Sequence, residues 1–168
     1  MLRDMARMRR VNARKVYVTY GSWCVQDGHE SAEPLYPDQG GGRPGDVAYG
    51  AGFLTEYTGR FDVASAGHTH TAAVTVEQWD GAPPPDTRRR WDERSEVTFA
   101  SASGVAAFWS DGRDAEVQLL TPGTWRVRAY CAGREAVARL SREVGPVLDV
   151  EVYLLQFWPA AAGTTQPE

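Results

Sequence analysis

Lysine occurs once in the 168 residues, cysteine twice and histidine three times. No stretch approaches the roughly 20 apolar residues that a membrane-spanning helix needs. The opening MLRDMARMRR is charged and lacks the apolar segment of about 7–15 residues that marks a secretory leader. Membrane insertion and export are therefore not expected, and the chain reads as cytoplasmic. Cys24 and Cys131 fall in separate predicted strands, too few for a disulfide framework; in a reducing compartment both are expected as buried free thiols. The recognisable catalytic signatures are missing too. There is no GxSxG elbow, no HExxH, and no Lys-Ser pair after Gly40-Gly41-Gly42-Arg43-Pro44-Gly45 to make a phosphate cradle. That glycine run reads as a flexible loop, and no cofactor is called for.

What is present is enough apolar material for one well-filled domain: 42% hydrophobic residues, with six Trp, seven Tyr and five Phe. The net charge of −4 conceals a split. Residues 1–15 hold six basic residues (Arg3, Arg7, Arg9, Arg10, Arg14 and Lys15) against Asp4, which leaves 12 basic and 21 acidic residues in 16–168, a net of −9. An acidic body disfavours direct nucleic-acid binding, because phosphate contacts need a positive face. All basic residues but Lys15 are arginine, a skew expected of a GC-rich bacterial genome. The expected organisation is a basic, flexible N-terminal arm over 1–14, one domain over 15–158 and a loose tail over 159–168.

The dominant signal is period two. Lys15–Tyr20, Ser22–Gln26, Thr71–Trp79, Arg94–Ser103, Val105–Trp109, Ala115–Leu120, Trp125–Cys131 and Leu148–Trp158 alternate as strands, with Val47–Leu54 and Arg60–Ala64 weaker. Asp27–Asp46 is rich in Gly, Pro and acid and reads as a long loop, while three consecutive prolines in GAPPPDTRRR exclude residues 81–90 from a central strand. Val137, Leu140 and Val144 recur at helical spacing, so 134–144 is the one short helix. The result is an all-β chain, an antiparallel β-sandwich of about eight or nine strands. In 125–131, Trp125, Val127, Ala129 and Cys131 share one face; in 148–158, Leu148, Val150, Val152 and Leu154 share one face and Asp149, Glu151 and Tyr153 the other, so the aliphatic set is expected inward. If 125–131 and 148–157 are antiparallel neighbours, Arg126 and Arg128 face Asp149 and Glu151 across the ladder.

Candidate sites are sparse. His68 and His70 in Gly67-His68-Thr69-His70 share a face if they lie on one strand, so both imidazoles could reach one metal, with His29 as a distant third. This motivates the alternative of a small metal-dependent enzyme or ligand binder; otherwise the segment opens a solvated strand. Trp23, Trp79, Trp91 and Trp109 lie near turns, where an exposed aromatic could anchor a partner; a carbohydrate-binding sandwich with Trp or Tyr platforms is a second alternative. Arg88-Arg89-Arg90 is flanked by Asp86, Asp92 and Glu93 and reads as a solvated mixed-charge loop. The preferred candidate is a surface of acids: Asp92, Glu93, Glu96, Asp111, Asp114 and Glu116 come from a predicted strand pair and the adjoining turn. Gathered at one end, they form a partner-binding face for a basic protein; dispersed, they only confer solubility.

The segments KVYVTYGSWCVQDG, HTHTAAVTVE, VTFASASGVAAFW, LLTPGTWRVRAYC and VEVYLLQFW follow in an order that resembles the competence protein J, or DNA-entry nuclease inhibitor, proteins. The likeness spans most of residues 15–158. It implies a cytoplasmic β-sandwich that blocks a nuclease by binding it, with no inhibitory residue carried over position by position. The loops at 27–46, 81–90 and 133–147 are longer than that pattern. The strand ending in Trp-Pro is also similar to actinobacterial proteins, a likeness that implies nothing about activity.

Overall fold

The computed structural model describes residues 5–28 and 52–161. Most of the 27–46 loop, the start of the 47–54 strand, His29 and the end of the tail lie outside the described residues. Within them, β-branched and aromatic alternation yields β1 (Met8–Val18), β2 (Ser22–Asp27), β3 (Leu54–Tyr57), β4 (Arg60–Ala64) and β5 (His70–Trp79). There follow β6 (Glu93–Ser101), β7 (Val105–Trp109), β8 (Arg113–Gln118), β9 (Gly123–Ala132), α1 (Arg134–Glu143) and β10 (Leu148–Pro159). One sheet runs β1-β5-β10-β9-β6 and the other β3-β4-β2-β7-β8. Val18, Val76, Val127, Leu155 and Phe157 of the first sheet and Trp23, Val25, Phe61 and Phe108 of the second belong to one buried cluster. Cys24 and Cys131 are buried and free, as expected.

Four sequence expectations need correction. The first sheet is mixed, because β10 runs parallel to β5 and antiparallel to β9. A strand inserted between two neighbours that run in opposite directions must be parallel to one of them. The basic segment 1–14 is no free arm beyond residue 7, since β1 begins at Met8 and pairs with β5 over its length. Its arginines suit an edge: Arg10 Nη1 donates to the Gln118 carbonyl and Arg14 Nε to the Glu116 carbonyl, both at 2.9 Å, covering groups of β8 that no strand pairs among the described residues.

The third correction concerns register. β9 and β10 are antiparallel neighbours, but Arg128 lies opposite Gln156 and Arg126 opposite Trp158. Both guanidiniums turn instead to Glu96 on β6, at 2.7 Å from Arg128 and 3.1 Å from Arg126. The fourth concerns which face of β10 is inside. Tyr153, Leu155 and Phe157 enter the common core, with Glu151 on the same side, while Leu148 is 70% exposed. Because β10 is central, Leu154 on its other face is buried as well.

The chain leaves β9 into α1 through Gly133, at φ 84°. A Cβ built there would lie 2.0 Å from the Val150 carbonyl oxygen, so only glycine fits where helix entry crosses β10. Asp92 Oδ2 accepts the Arg134 amide at 3.1 Å, placing a carboxylate at the positive end of the helix. Gly133→Ala is expected to destabilise the fold by about 3 kcal/mol or more, through left-handed strain plus the clash. Thermal unfolding followed by circular dichroism should show a fall of roughly 10 °C; an unchanged midpoint would contradict the geometry.

Candidate functional site

The densest polar cluster sits where β4 ends, β5 begins and α1 enters. Its centre is Glu151, fully buried on β10. Oε2 accepts the Ser65 hydroxyl at 2.5 Å and the Tyr153 hydroxyl at 2.7 Å, and Oε1 accepts the Ala66 amide at 3.0 Å. Two cationic or ionisable groups stand close: Arg134 Nη1 at 3.4 Å and His70 Nε2 at 3.3 Å. Arg134 Nη1 also donates to the Ala64 carbonyl at 2.9 Å and places its guanidinium 5.7 Å from the Phe53 ring centroid. One arginine thus ties helix entry to both sheets.

Gly67 makes the approach of His70 possible. A Cβ on it would fall 2.6 Å from the His70 ring and 2.9 Å from Val137 of α1. Ser65, His70 and Glu151 are the residue types of a nucleophilic triad, but their hydrogen bonds run the other way. A carboxylate can only accept, so the Ser65 hydrogen is committed to Glu151. The Ser65 oxygen then accepts from the Gly67 amide at 3.1 Å and from His70 Nε2 at 2.7 Å. His70 Nε2 therefore carries a hydrogen and offers Ser65 no base, and its Nδ1 has no partner among the described residues. A triad needs the histidine nitrogen to receive the serine proton and the carboxylate on the opposite nitrogen. This cluster clamps backbone.

Burial pushes the Glu151 pKa up, but hydrogen bonds from His70, Ser65, the Ala66 amide and Tyr153 outweigh it and hold the carboxyl below its ordinary value. The Tyr153 hydroxyl is pushed up, by burial and then by the Glu151 charge. Burial likewise raises the Cys24 thiol to about 12 and the Cys131 thiol further, so neither is a thiolate nucleophile at neutral pH. None of Ser65, Arg134, Glu151 or Tyr153 stood out as a site in the sequence. The available signal was Glu151 itself, an acid sharing strand parity with Tyr153, Leu155 and Phe157.

The two histidines do not converge. His70 opens β5 and points into the cluster, whereas His68 precedes the strand, is exposed, bonds Thr69 Oγ1 at 2.8 Å and meets Tyr20 edge-on at 5.1 Å. The shared-face argument required both on one strand. No group of three or more metal-ligating side chains occurs among the described residues. Of the four tryptophans near turns, Trp23 and Trp109 are buried, and Trp91 packs at 5.3 Å on Tyr130. Arg88 is no idle member of its triplet. It bridges buried Glu77, at 2.6 Å, and Asp86, and with Arg128 donating to the Pro83 carbonyl at 2.9 Å it pins the proline loop to the first sheet.

The six acids are divided. β6 and β8 are terminal strands of different sheets; β8 stacks over β1 and β6 over β3, at opposite sides of the molecule. Asp92, Glu93 and Glu96 lie on one side and Asp111, Asp114 and Glu116 on the other. Several have structural tasks. Asp92 faces the helix start, Glu96 joins two arginines, Asp114 accepts the Tyr17 amide at 2.5 Å, and Glu116 pairs with Arg113. Glu93 and Asp111 are exposed and have no ion-pair partner among the described residues.

No family model and no curated protein sequence matches the chain. Solved structures do share its fold. ComJ from Bacillus subtilis, described as an inhibitor of the DNA-degrading activity of NucA, superposes with a TM-score of 0.60 at 11% identity, over 93% of this chain and 99% of that one. The product described as crocagin biosynthetic gene J superposes with a TM-score of 0.59 at 13% identity, over 90% and 98%. The resemblance to ComJ expected from strand order is thus supported at the level of the fold.

The Glu151 cluster has a pH signature. With the folded pKa below the ordinary 4.5, the ionised carboxylate contributes stability that is full above pH 4.5 and is lost as pH falls through the depressed folded value. Glu151→Gln cannot ionise, so its deficit against wild type, about 3 kcal/mol at neutral pH, should narrow in acid. Urea unfolding at neutral pH and again near pH 3 measures it, and an equal deficit at both would refute the assignment.

Proposed function

We propose that this chain is a non-catalytic protein-binding module, an inhibitor or immunity-type partner of a nuclease, acting in the cytoplasm. In this reading the two facing sheets form a sandwich and residues 8 to 159 one domain. The observation that carries it is the fold shared with a nuclease inhibitor over nearly the full length of both chains. Two further features agree with it. The commitment of the Ser65 hydroxyl to the buried Glu151 carboxylate fits a structural role for the polar cluster. The net charge of −9 on residues 16–168 suits a basic enzyme surface, which an acidic protein reaches by long-range steering.

The acids are proposed as the contact residues, with Glu93 and Asp111 the most available on their respective sides. Purified protein titrated into DNA-cleavage assays with nucleases of the same genome is expected to form a complex with one of them and suppress its cleavage. Glu93→Lys should weaken that complex about tenfold, as should raised salt. Neither complex nor loss of cleavage with any of those nucleases would sink the reading.

A further inference from the structure

The two sides of the molecule treat their strand edges differently. On the β1/β8 side, Arg10, Arg14 and Gln78 donate to carbonyls of β8, and Asp114 accepts the Tyr17 amide. On the other side, β6 ends the first sheet with β9 as its strand partner. The Thr98 amide points away from β9, to the Glu56 carboxylate. By strand parity the backbone groups of Arg94, Glu96 and Ala100 point the same way, outward. They have no backbone partner among the described residues. β3, which stacks over β6, is only four residues long. Beside the edge runs a groove of about 330 Å³ lined by Glu56, Tyr57, Thr58, Gly59, Thr98 and Ala100.

An open edge pairs with an extended segment through its backbone and selects that segment through alternate side chains. Here the rim carries Glu56, Asp92 and Glu93, none of them in an ion pair within 4.0 Å among the described residues. We propose that the edge of β6 takes an extended, basic segment of a protein partner as an added strand, with Lys or Arg side chains directed at Glu56 and Glu93. This rests on the protein-binding reading above and names where and how the partner docks.

Ala100 supplies the test. Its amide points outward, so Ala100→Pro leaves the β6–β9 ladder intact and puts a ring without a donor where a new strand would pair. The probe is a short peptide alternating Thr and Arg, compared with the same peptide N-methylated at alternate amides. Amide shifts in an NMR titration of the full chain should concentrate on Arg94–Ala100 and β3. Affinity should fall about tenfold or more on N-methylation of the peptide and in Ala100→Pro. The N-methyl comparison uses the wild-type protein, so it decides the matter even if the variant fails to fold. No binding, equal binding of both peptides, or shifts elsewhere would overturn the proposal. Self-association abolished by Ala100→Pro would overturn it too, assigning the edge to a second copy of the chain. A nuclease that binds folded Ala100→Pro as tightly as wild type would remove the β6 edge while leaving the inhibitor reading standing.

Discussion

A carboxylate buried without solvent must be matched or the fold loses several kcal/mol, and Glu151 is the place where this chain meets that demand. Its donors come from the loop after β4, from β5, from α1 and from β10 itself, so no subset of these elements can satisfy it alone. Arg134 adds a carbonyl of β4, in the second sheet, to the same guanidinium that faces the carboxylate in the first. Tyr153 carries the cluster into the core, where its ring meets Trp23 edge-on at 5.1 Å. A polar knot of this kind sets the relative placement of the two sheets at one end, a task apolar packing performs with less directional precision.

The same demand explains why Ser65, His70 and Glu151 are not arranged as a Ser-His-carboxylate triad. In a triad the histidine receives the serine proton and the carboxylate orients the histidine from its other nitrogen. In this chain the serine proton is directed into the carboxylate, the histidine is fully buried, and the surrounding backbone supplies donors to hold the arrangement. Chemistry at this position would cost the clamp. At the surface the edges of the sheets differ: side chains tie β8 to β1, while β6 ends the first sheet with β9 as its strand partner.

Much of the local structure was legible. Alternation placed the strands from Thr71 to Trp158 within a few residues, and the helix of 134–143 followed from Val137 and Leu140. The inward set Trp125, Val127, Ala129 and Cys131 was readable because a half-buried strand shows its pattern directly. β10 was harder to read, since a strand buried on both faces lacks that contrast and its single inward acid argued for the wrong side. β1 was underestimated because arginine is a poor guide to burial. The heads of Arg10 and Arg14 reach carbonyls of sequence-distant β8, which stacks over β1.

Strand existence, the helix of 134–143, the two buried thiols and the acidic character of the body were determined by the amino-acid sequence by itself. These depend on side-chain period and composition, which are local. Only the tertiary structure decided that β10 lies between β5 and β9, that Arg126 and Arg128 meet Glu96, and that the six acids part to opposite sides. It also decided that His70 and His68 look in different directions. Each of these is a matter of register or of which edge lies over which, fixed by contacts between residues tens of positions apart. A one-residue shift in pairing exchanges the two faces of a strand, and nothing in the local pattern of a doubly buried strand forbids that shift.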